Sequence, residues 1–171
     1  MPVYPPERVP ATSRALFTHL SKHDGAIWSR FLDAYADAFE SFAYDVALGG
    51  VVVDEASGDL ATRKGYQYST ALKIDVVGYR AESVWVIEVK PNAGTNAIGA
   101  ALCYVELGGV DRFTELELVP VVVTDRMSPD VRFCAGELGV LVFELPEPTP
   151  AFERIDIGGE AERRRRASLA G

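Results

Sequence analysis

The chain has 171 residues, 48% of them hydrophobic, and a formal net charge of −8. This length and apolar content are typical of one soluble domain with a sizeable core, and no apolar run approaches the ~20 residues that a membrane-spanning helix needs. The acidic balance argues against tight, autonomous binding of duplex DNA, because such affinity comes largely from neutralising phosphates.

The N-terminal part of the sequence predicts an arm followed by a helix and a strand. Four of the first ten residues are proline, so residues 1–25 are expected to form an extended arm with a helical turn at Ser13–Ser21. Apolar residues then recur with a helical period from Ile27 to Leu48, and Gly49-Gly50 is expected to end that helix. The β-branched run Val51–Val53 predicts the first strand.

The next segment, residues 67–90, predicts a β-hairpin. Two apolar runs, 71–79 and 84–90, flank the polar break Arg80–Ser83, which fits a four-residue turn. If Tyr79 pairs with Val84, both faces of the hairpin are largely apolar and should be covered. The hairpin is therefore expected to lie inside the sheet.

Four charged residues fall at the open end of this hairpin. In the same register Asp75 lies opposite Glu88, and Lys73 lies opposite Lys90; directly opposed residues share a sheet face. Acids beside a buried region are unfavourable unless they are paired or bound to a metal. Two interpretations follow: a cross-strand set of salt bridges, or a site for a divalent cation, for which hard oxygen ligands suit Mg²⁺.

The remaining elements alternate helix and strand. Asn96–Leu107 reads as a helix rich in small residues, Leu116–Thr124 as a strand, Ser128–Glu137 as a turn or helix, and Val140–Phe143 as a last strand. Residues 26–145 would thus form one α/β core, a mixed sheet with helices on both faces. The proline-rich and arginine-rich residues 146–171 are expected to be a tail.

This arrangement resembles the PD-(D/E)XK nuclease superfamily. The resemblance rests on Asp75, the intervening hairpin and Glu88-Val89-Lys90 at the end of an apolar strand, together with an αβββαβ order of elements over the core. Many members carry Gln-x-x-x-Tyr on the following helix, where this chain has Tyr104 but Ala100 in place of the glutamine. The resemblance implies a restriction endonuclease-like fold.

The resemblance also implies a function, a cofactor and roles for residues. It implies a metal-dependent hydrolase that cleaves phosphodiester bonds, with DNA as the expected substrate and Mg²⁺ or Mn²⁺ as the cofactor. Asp75, Glu88 and the carbonyl of Val89 would hold the metal, and Lys90 would steer the attacking water. Lys73 and Tyr104 are candidate contacts to the nucleic acid.

Two questions stay open at this point. Many superfamily members have a further acid on the first helix, and Asp45 or Glu40 could supply it here. The net charge and Ala100 also fit an alternative function, a catalytically inactive nuclease fold that acts with a protein partner or as a homodimer. With no signal peptide and two unpaired cysteines, Cys103 and Cys134, we expect a cytoplasmic protein with reduced thiols and no membrane partner.

Overall fold

The computed structural model describes residues 7–12, 20–110 and 114–147. The helices in these residues are α1 (Lys22–Tyr35), α2 (Leu60–Thr70), α3 (Thr95–Val110) and α4 (Pro129–Glu137). The strands are β1 (Val9–Pro10), β2 (Ser41–Leu48), β3 (Leu72–Tyr79), β4 (Ser83–Val89), β5 (Glu117–Thr124) and β6 (Leu141–Glu144). Short 3-10 turns lie at Ala36–Ala38 and Glu55–Ser57.

The six strands form one mixed sheet in the order β1-β2-β3-β4-β5-β6. Strands β1 to β4 run antiparallel to their neighbours, whereas β4, β5 and β6 are parallel to one another. Each parallel pair is joined by a crossover helix, α3 or α4, as parallel strands require. The chain is therefore a single α/β domain with a mixed sheet, which confirms the predicted fold class at that level.

Helices cover both faces of this sheet. Helix α1 packs Ile27, Trp28 and Phe31 against β4 and β5 on one face. On the other face α3 contributes Tyr104 to a cluster with β2, β3 and β4, and it shares a second cluster with α4 and β5. Strand β4 is buried on both sides, which explains why its residues form a continuous apolar run.

The predicted long helix over Ile27–Leu48 is wrong. Helix α1 ends at Tyr35, and Ser41–Leu48 is strand β2, which pairs along β3. A strand buried on both faces has no alternation of polar and apolar residues, so its residues also fitted a helical stripe. The predicted first strand, Val51–Val53, lies in a loop instead, where Val52 is 78% exposed.

Helix α2 (Leu60–Thr70) was not predicted, and it includes residues 67–70, where the hairpin was expected to begin; the remaining elements lie close to their predicted positions. The structure confirms the helices at 96–107 and 128–137 and the strands at 116–124 and 140–143, with small shifts of their ends. The arm is shorter than predicted, because α1 already begins at Lys22 and Val9–Pro10 pairs with β2. The expected helical turn and most of the tail lie outside the described residues. In the described part of the chain, no helix has the length and apolar character needed to cross a membrane.

Candidate functional site at the open end of the β3–β4 hairpin

The register of the hairpin matches the prediction. Tyr79 pairs with Val84, and the paired residues continue to Val76 and Ile87. Beyond that point β3 remains paired with β2, where Lys73 lies opposite Ala47, but no longer with β4. The strands β3 and β4 therefore separate at the position where Asp75 and Glu88 would come next, and this opening is the candidate site.

Asp75 fills the opening between the two strands. Its Oδ2 accepts a hydrogen bond of 2.9 Å from the backbone N–H of Val89, in place of a strand-to-strand bond. The N–H and C=O of one strand residue point to the same neighbouring strand, so the Val89 carbonyl also faces this opening. Burial raises the pKa of Asp75, and the Val89 hydrogen bond opposes that shift.

Glu88 lies beside Asp75 and is held by helix α3. Its Oε2 is 2.9 Å from the hydroxyl of Tyr104, which also lies 2.8 Å from the carbonyl oxygen of Lys73. Burial, and then the negative charge of Asp75, raise the pKa of Glu88 to about 7. The charged form of Glu88 is therefore disfavoured in the metal-free protein.

Tyr104 orients Glu88. The residue is only 6% exposed, so the predicted contact between Tyr104 and nucleic acid is not supported by this geometry. Burial and the neighbouring charge of Glu88 raise the pKa of Tyr104, so its hydroxyl stays protonated and serves as a fixed hydrogen-bond donor. The aromatic ring of Tyr104 packs in the cluster that α3 forms with β2, β3 and β4, and its hydroxyl extends from that cluster to Glu88.

Lys90 follows Glu88 and Val89 on an anchored backbone. Its N–H donates to the carbonyl of Val123, and the next residues are tied to β5 through Thr124, whose hydroxyl accepts from the Ala93 N–H. The side chain is exposed, and its positive charge lowers the pKa of both Asp75 and Glu88. A rigid backbone therefore presents one cation to two carboxylates.

Lys73 has a different position from the predicted one. It is not paired with Lys90, because the β3–β4 ladder ends at Val76 and Ile87. Its ammonium bonds to the backbone carbonyl of Tyr68 and lies 3.1 Å from the centroid of the Tyr68 ring. Among the described residues, no ion pair within 4.0 Å joins Lys73 or Lys90 to Asp75 or Glu88. The salt-bridged hairpin is thus not the arrangement that the structure has.

The two additional acids also differ from their predicted positions, because the helix that was to carry them is strand β2. Asp45 lies on β2 at φ +50°, between the pairs Tyr44–Val76 and Val46–Ile74, and is thus level with Asp75. Its Oδ2 accepts a hydrogen bond from the Tyr68 hydroxyl. Glu40 precedes β2 at the opposite end of the sheet, where its N–H donates to Tyr79, and so lies away from the site.

A further acid that the sequence reasoning missed is Asp24. It lies in the first turn of α1, and its negative charge raises the pKa of both Asp75 and Glu88. The sequence held a signal for the start of the helix but not for the approach of Asp24 to the site: Ser21-Lys-His-Asp24 precedes an apolar run in the manner of a capping box. The Ser21 side chain does accept a hydrogen bond from the Asp24 N–H.

Few side chains at this opening are placed to bind a metal ion. Within the described residues, no group of three or more His, Cys, Asp or Glu side chains is placed to hold a metal ion. Asp75, Glu88 and the Val89 carbonyl nevertheless offer hard oxygen atoms that face one opening. Mg²⁺ often takes only one or two carboxylates from a protein and fills its other positions with water and substrate phosphate. The chemistry of the donors therefore fits Mg²⁺ or Mn²⁺ rather than zinc.

We expect Glu88→Gln to stabilise the metal-free protein above neutral pH. A carboxyl group whose pKa is raised in the folded state contributes stability below its unfolded pKa, and that contribution is lost as the pH rises through about 7. Glutamine keeps a hydrogen-bonding partner for Tyr104 but never ionises. Urea unfolding at about pH 8 should give a gain on the order of 1–2 kcal/mol, because a half-buried carboxylate keeps part of its hydration.

The same comparison at about pH 4 is the control, because Glu88 is then mostly protonated in both the folded and unfolded states. There the two proteins should unfold at nearly the same urea concentration. If Glu88→Gln were less stable than the wild type at both pH values, this would contradict the expectation that the half-buried Glu88 carboxylate, repelled by Asp75, destabilises the fold.

The comparisons with known proteins leave this site without a family assignment. No protein-family model and no curated protein matches the chain. Among solved structures, the chain is similar to a crystal structure of a protein of unknown function, AF1548, with a TM-score of 0.47 and 16% sequence identity. The match covers 82% of this chain and 77% of the other. A similarity of this size supports no conclusion about activity.

Proposed function

We propose that the chain is a metal-dependent nuclease that hydrolyses phosphodiester bonds in nucleic acid, with DNA as the first substrate to test. The observation that carries the proposal is the opening between β3 and β4. Two half-buried carboxylates, Asp75 and Glu88, converge there with the carbonyl of Val89 and the cation of Lys90. Structural ion pairs do not need a carboxyl group kept near pKa 7, whereas functional sites often contain such groups.

The order of the elements supports the same proposal. Helix α1, strands β2 to β4, helix α3 and strand β5 give the sequence αβββαβ once α2 is taken as an insertion between β2 and β3. This is the order expected for a restriction endonuclease-like core, with the acids on the second and third strands. We therefore propose that arrangement as the finer fold assignment.

Each residue would have a separate task in this reaction. Asp75, Glu88 and the Val89 carbonyl would hold Mg²⁺ or Mn²⁺, which supplies positive charge for the phosphate when it is bound. Tyr104 fixes the orientation of Glu88. Lys90 would stabilise negative charge that develops on the phosphate as the oxygen of water attacks phosphorus and the ester oxygen leaves.

A second candidate function is the catalytically inactive nuclease fold that acts through a protein partner or as a homodimer. It is favoured by one observation, the absence of a third metal-binding side chain among the described residues around the opening. Substrate phosphate can replace such a ligand, so we place hydrolysis first. The two functions differ in whether any nucleic acid is cut when metal is present.

Metal binding can be tested on the protein alone. We expect millimolar Mg²⁺ or Mn²⁺ to raise the melting temperature relative to chelator, because a ligand that binds only the folded state stabilises it. A concentration of about 100 times Kd would contribute about 2.7 kcal/mol. Glu88→Gln should remove this gain although the variant folds, and Glu40→Gln, at the far end of the sheet, should keep it.

Equal melting temperatures of the wild-type protein in metal and in chelator would argue against a metal site at the hairpin. The hydrolysis itself is tested with labelled single-stranded, duplex and branched DNA and with RNA. Metal binding without cleavage of any of these would favour the non-catalytic function.

A further inference from the structure

Helix α2 is unusual among the helices that the structure describes, because it has no buried residue. It is inserted between β2 and β3 and is held by polar contacts: Gln67 donates to the Gly49 carbonyl, and Thr70 accepts from the Val51 N–H. A helix without a buried face contributes little to the core. Its exposed side chains next to the site are therefore available to a ligand.

The charge of α2 also sets it apart. Its sequence contains Arg63 and Lys64 and no acid, whereas α1, α3 and α4 each contain at least one acid. In a chain with net charge −8, this helix is a local basic surface. Its C-terminal end leads directly into β3, and the Tyr68 hydroxyl bonds to Asp45, which is level with Asp75.

A cleft of about 180 Å³ lies between α2 and the preceding loop. It is lined by Val53, Ser57, Thr62, Arg63 and Tyr66. An aromatic ring and an aliphatic side chain thus meet two hydroxyl groups and a guanidinium in one concavity, the usual composition of a small-ligand site. Tyr66 is 49% exposed, so its ring is accessible to a ligand.

The guanidinium of Arg63 makes this cleft more specific. Its side chain lines the cleft and is partly exposed, so the group can donate hydrogen bonds to a ligand there. The Nε is buried and has no hydrogen-bond partner in the described part of the chain. Donation to a ligand in the cleft would therefore come from the terminal Nη groups.

Two acids beside the cleft restrict the ligand. Asp54 accepts a hydrogen bond from the Ser57 hydroxyl, and Asp59 caps α2 through the Thr62 N–H and attracts Arg63. These carboxylates would repel a phosphate inside the cleft. A flat, uncharged group that carries hydrogen-bond acceptors fits better, and a nucleobase is such a group.

We propose that the cleft between α2 and the loop at residues 53–57 binds an unpaired base of the nucleic acid on which the Asp75–Glu88 site acts. The base stacks on Tyr66 and accepts a hydrogen bond from the guanidinium of Arg63, while its phosphates stay outside, along the basic surface of α2. Only an unstacked base can enter, so the substrate is single-stranded or has a single-stranded end. This inference rests on the proposed function, because it names the substrate class for that reaction.

The test is fluorescence anisotropy of the full chain with a labelled oligothymidylate of about 16 nucleotides, a length that spans typical single-strand sites. Chelator prevents cleavage, so binding is measured separately from hydrolysis. We expect Tyr66→Ala to weaken binding about 5- to 150-fold, the range for the loss of one base stacked on an aromatic ring. Arg63→Gln should weaken binding, and Tyr66→Phe should keep it.

Helix α4 provides matched controls. Phe133 is 68% exposed there, and Arg132, which is paired with Glu144, precedes it. Phe133→Ala and Arg132→Gln therefore remove an exposed ring and a guanidinium elsewhere on the surface. Both should bind as the wild type does. An oligonucleotide of abasic nucleotides has the same phosphates without bases, and Tyr66→Ala should not change its affinity.

Three results would overturn the inference: unchanged affinity in both Tyr66→Ala and Arg63→Gln, tighter binding of duplex than of single strand, or no binding of single strand at all. The proposed hydrolysis fails independently. If binding depends on the cleft but added Mg²⁺ produces no cleavage, the base-binding cleft is supported and the nuclease activity is contradicted. If the wild type and Tyr66→Ala cleave at equal rates, the nuclease activity is supported and the base-binding cleft is contradicted.

Discussion

Lys90→Ala is expected to lower metal-dependent cleavage by about 100- to 1,000-fold, the range for removing one group that stabilises charge in a transition state. The side chain is exposed, so its loss leaves no cavity, and its backbone N–H remains bonded to Val123. Because Lys90 has no ligand role in the proposed site, metal should still raise the melting temperature of the variant. Lys90→Ala should therefore lower the rate of cleavage at saturating substrate.

Lys22→Ala is the matched control, because Lys22 is also an exposed lysine, in the first turn of α1 near Asp24. Its activity should stay close to that of the wild type. Equal residual cleavage by wild type and Lys90→Ala would assign the activity to a contaminating nuclease. A loss of metal stabilisation in Lys90→Ala would mean that the lysine helps to form the site itself.

The hairpin could be predicted from sequence because its pattern is symmetric about the turn. Apolar residues on both sides of Arg80–Ser83 fixed Tyr79 opposite Val84, and the structure has that pair. What could not be predicted is the separation of the strands after Val76 and Ile87. Strand register is read from side-chain patterning, whereas this opening arises because β3 stays paired with β2 and Asp75 bonds to Val89.

The error over β2 has a different physical cause. A strand covered on both faces carries apolar residues at nearly every position, and periodicity alone does not distinguish it from a helix. Phe42, Ala43 and Val46 are buried on the two faces of the sheet, and no glycine or proline separates them from α1. The neighbouring Val51–Val53 had stronger β propensity but makes no ladder.

The acids near the site illustrate the limit of sequence reasoning about function. Asp75 and Glu88 follow from local hairpin geometry, whereas the approach of Asp24 depends on where α1 crosses the sheet, which is a tertiary property. Residue Asp45 was named for the wrong reason, as a helical acid, although β2 brings it level with Asp75. Whether β2 supplies a further acid to the reaction therefore has to be decided by experiment.

The comparison of Asp75→Asn with Asp45→Asn decides whether β2 supplies an acid to the reaction. Both changes remove one charge, and the two positions lie level on adjacent strands. In Asp75→Asn the amide oxygen can still accept from the Val89 N–H, and in Asp45→Asn it can still accept from the Tyr68 hydroxyl. Asparagine also tolerates the φ of +50° at residue 45. Neither variant should therefore lose its fold.

We expect Asp75→Asn to lose metal stabilisation and to lower cleavage by at least about 100-fold, because even groups that only support a metal ligand are worth about 10- to 100-fold. Asp45→Asn should keep both properties within a few-fold, since its carboxylate is bonded to Tyr68. Thermal melting with and without Mg²⁺ and single-turnover cleavage measure the two effects. A comparable loss in Asp45→Asn would place a third carboxylate, from β2, in the reaction, and full activity of Asp75→Asn would remove the hairpin opening as the active site.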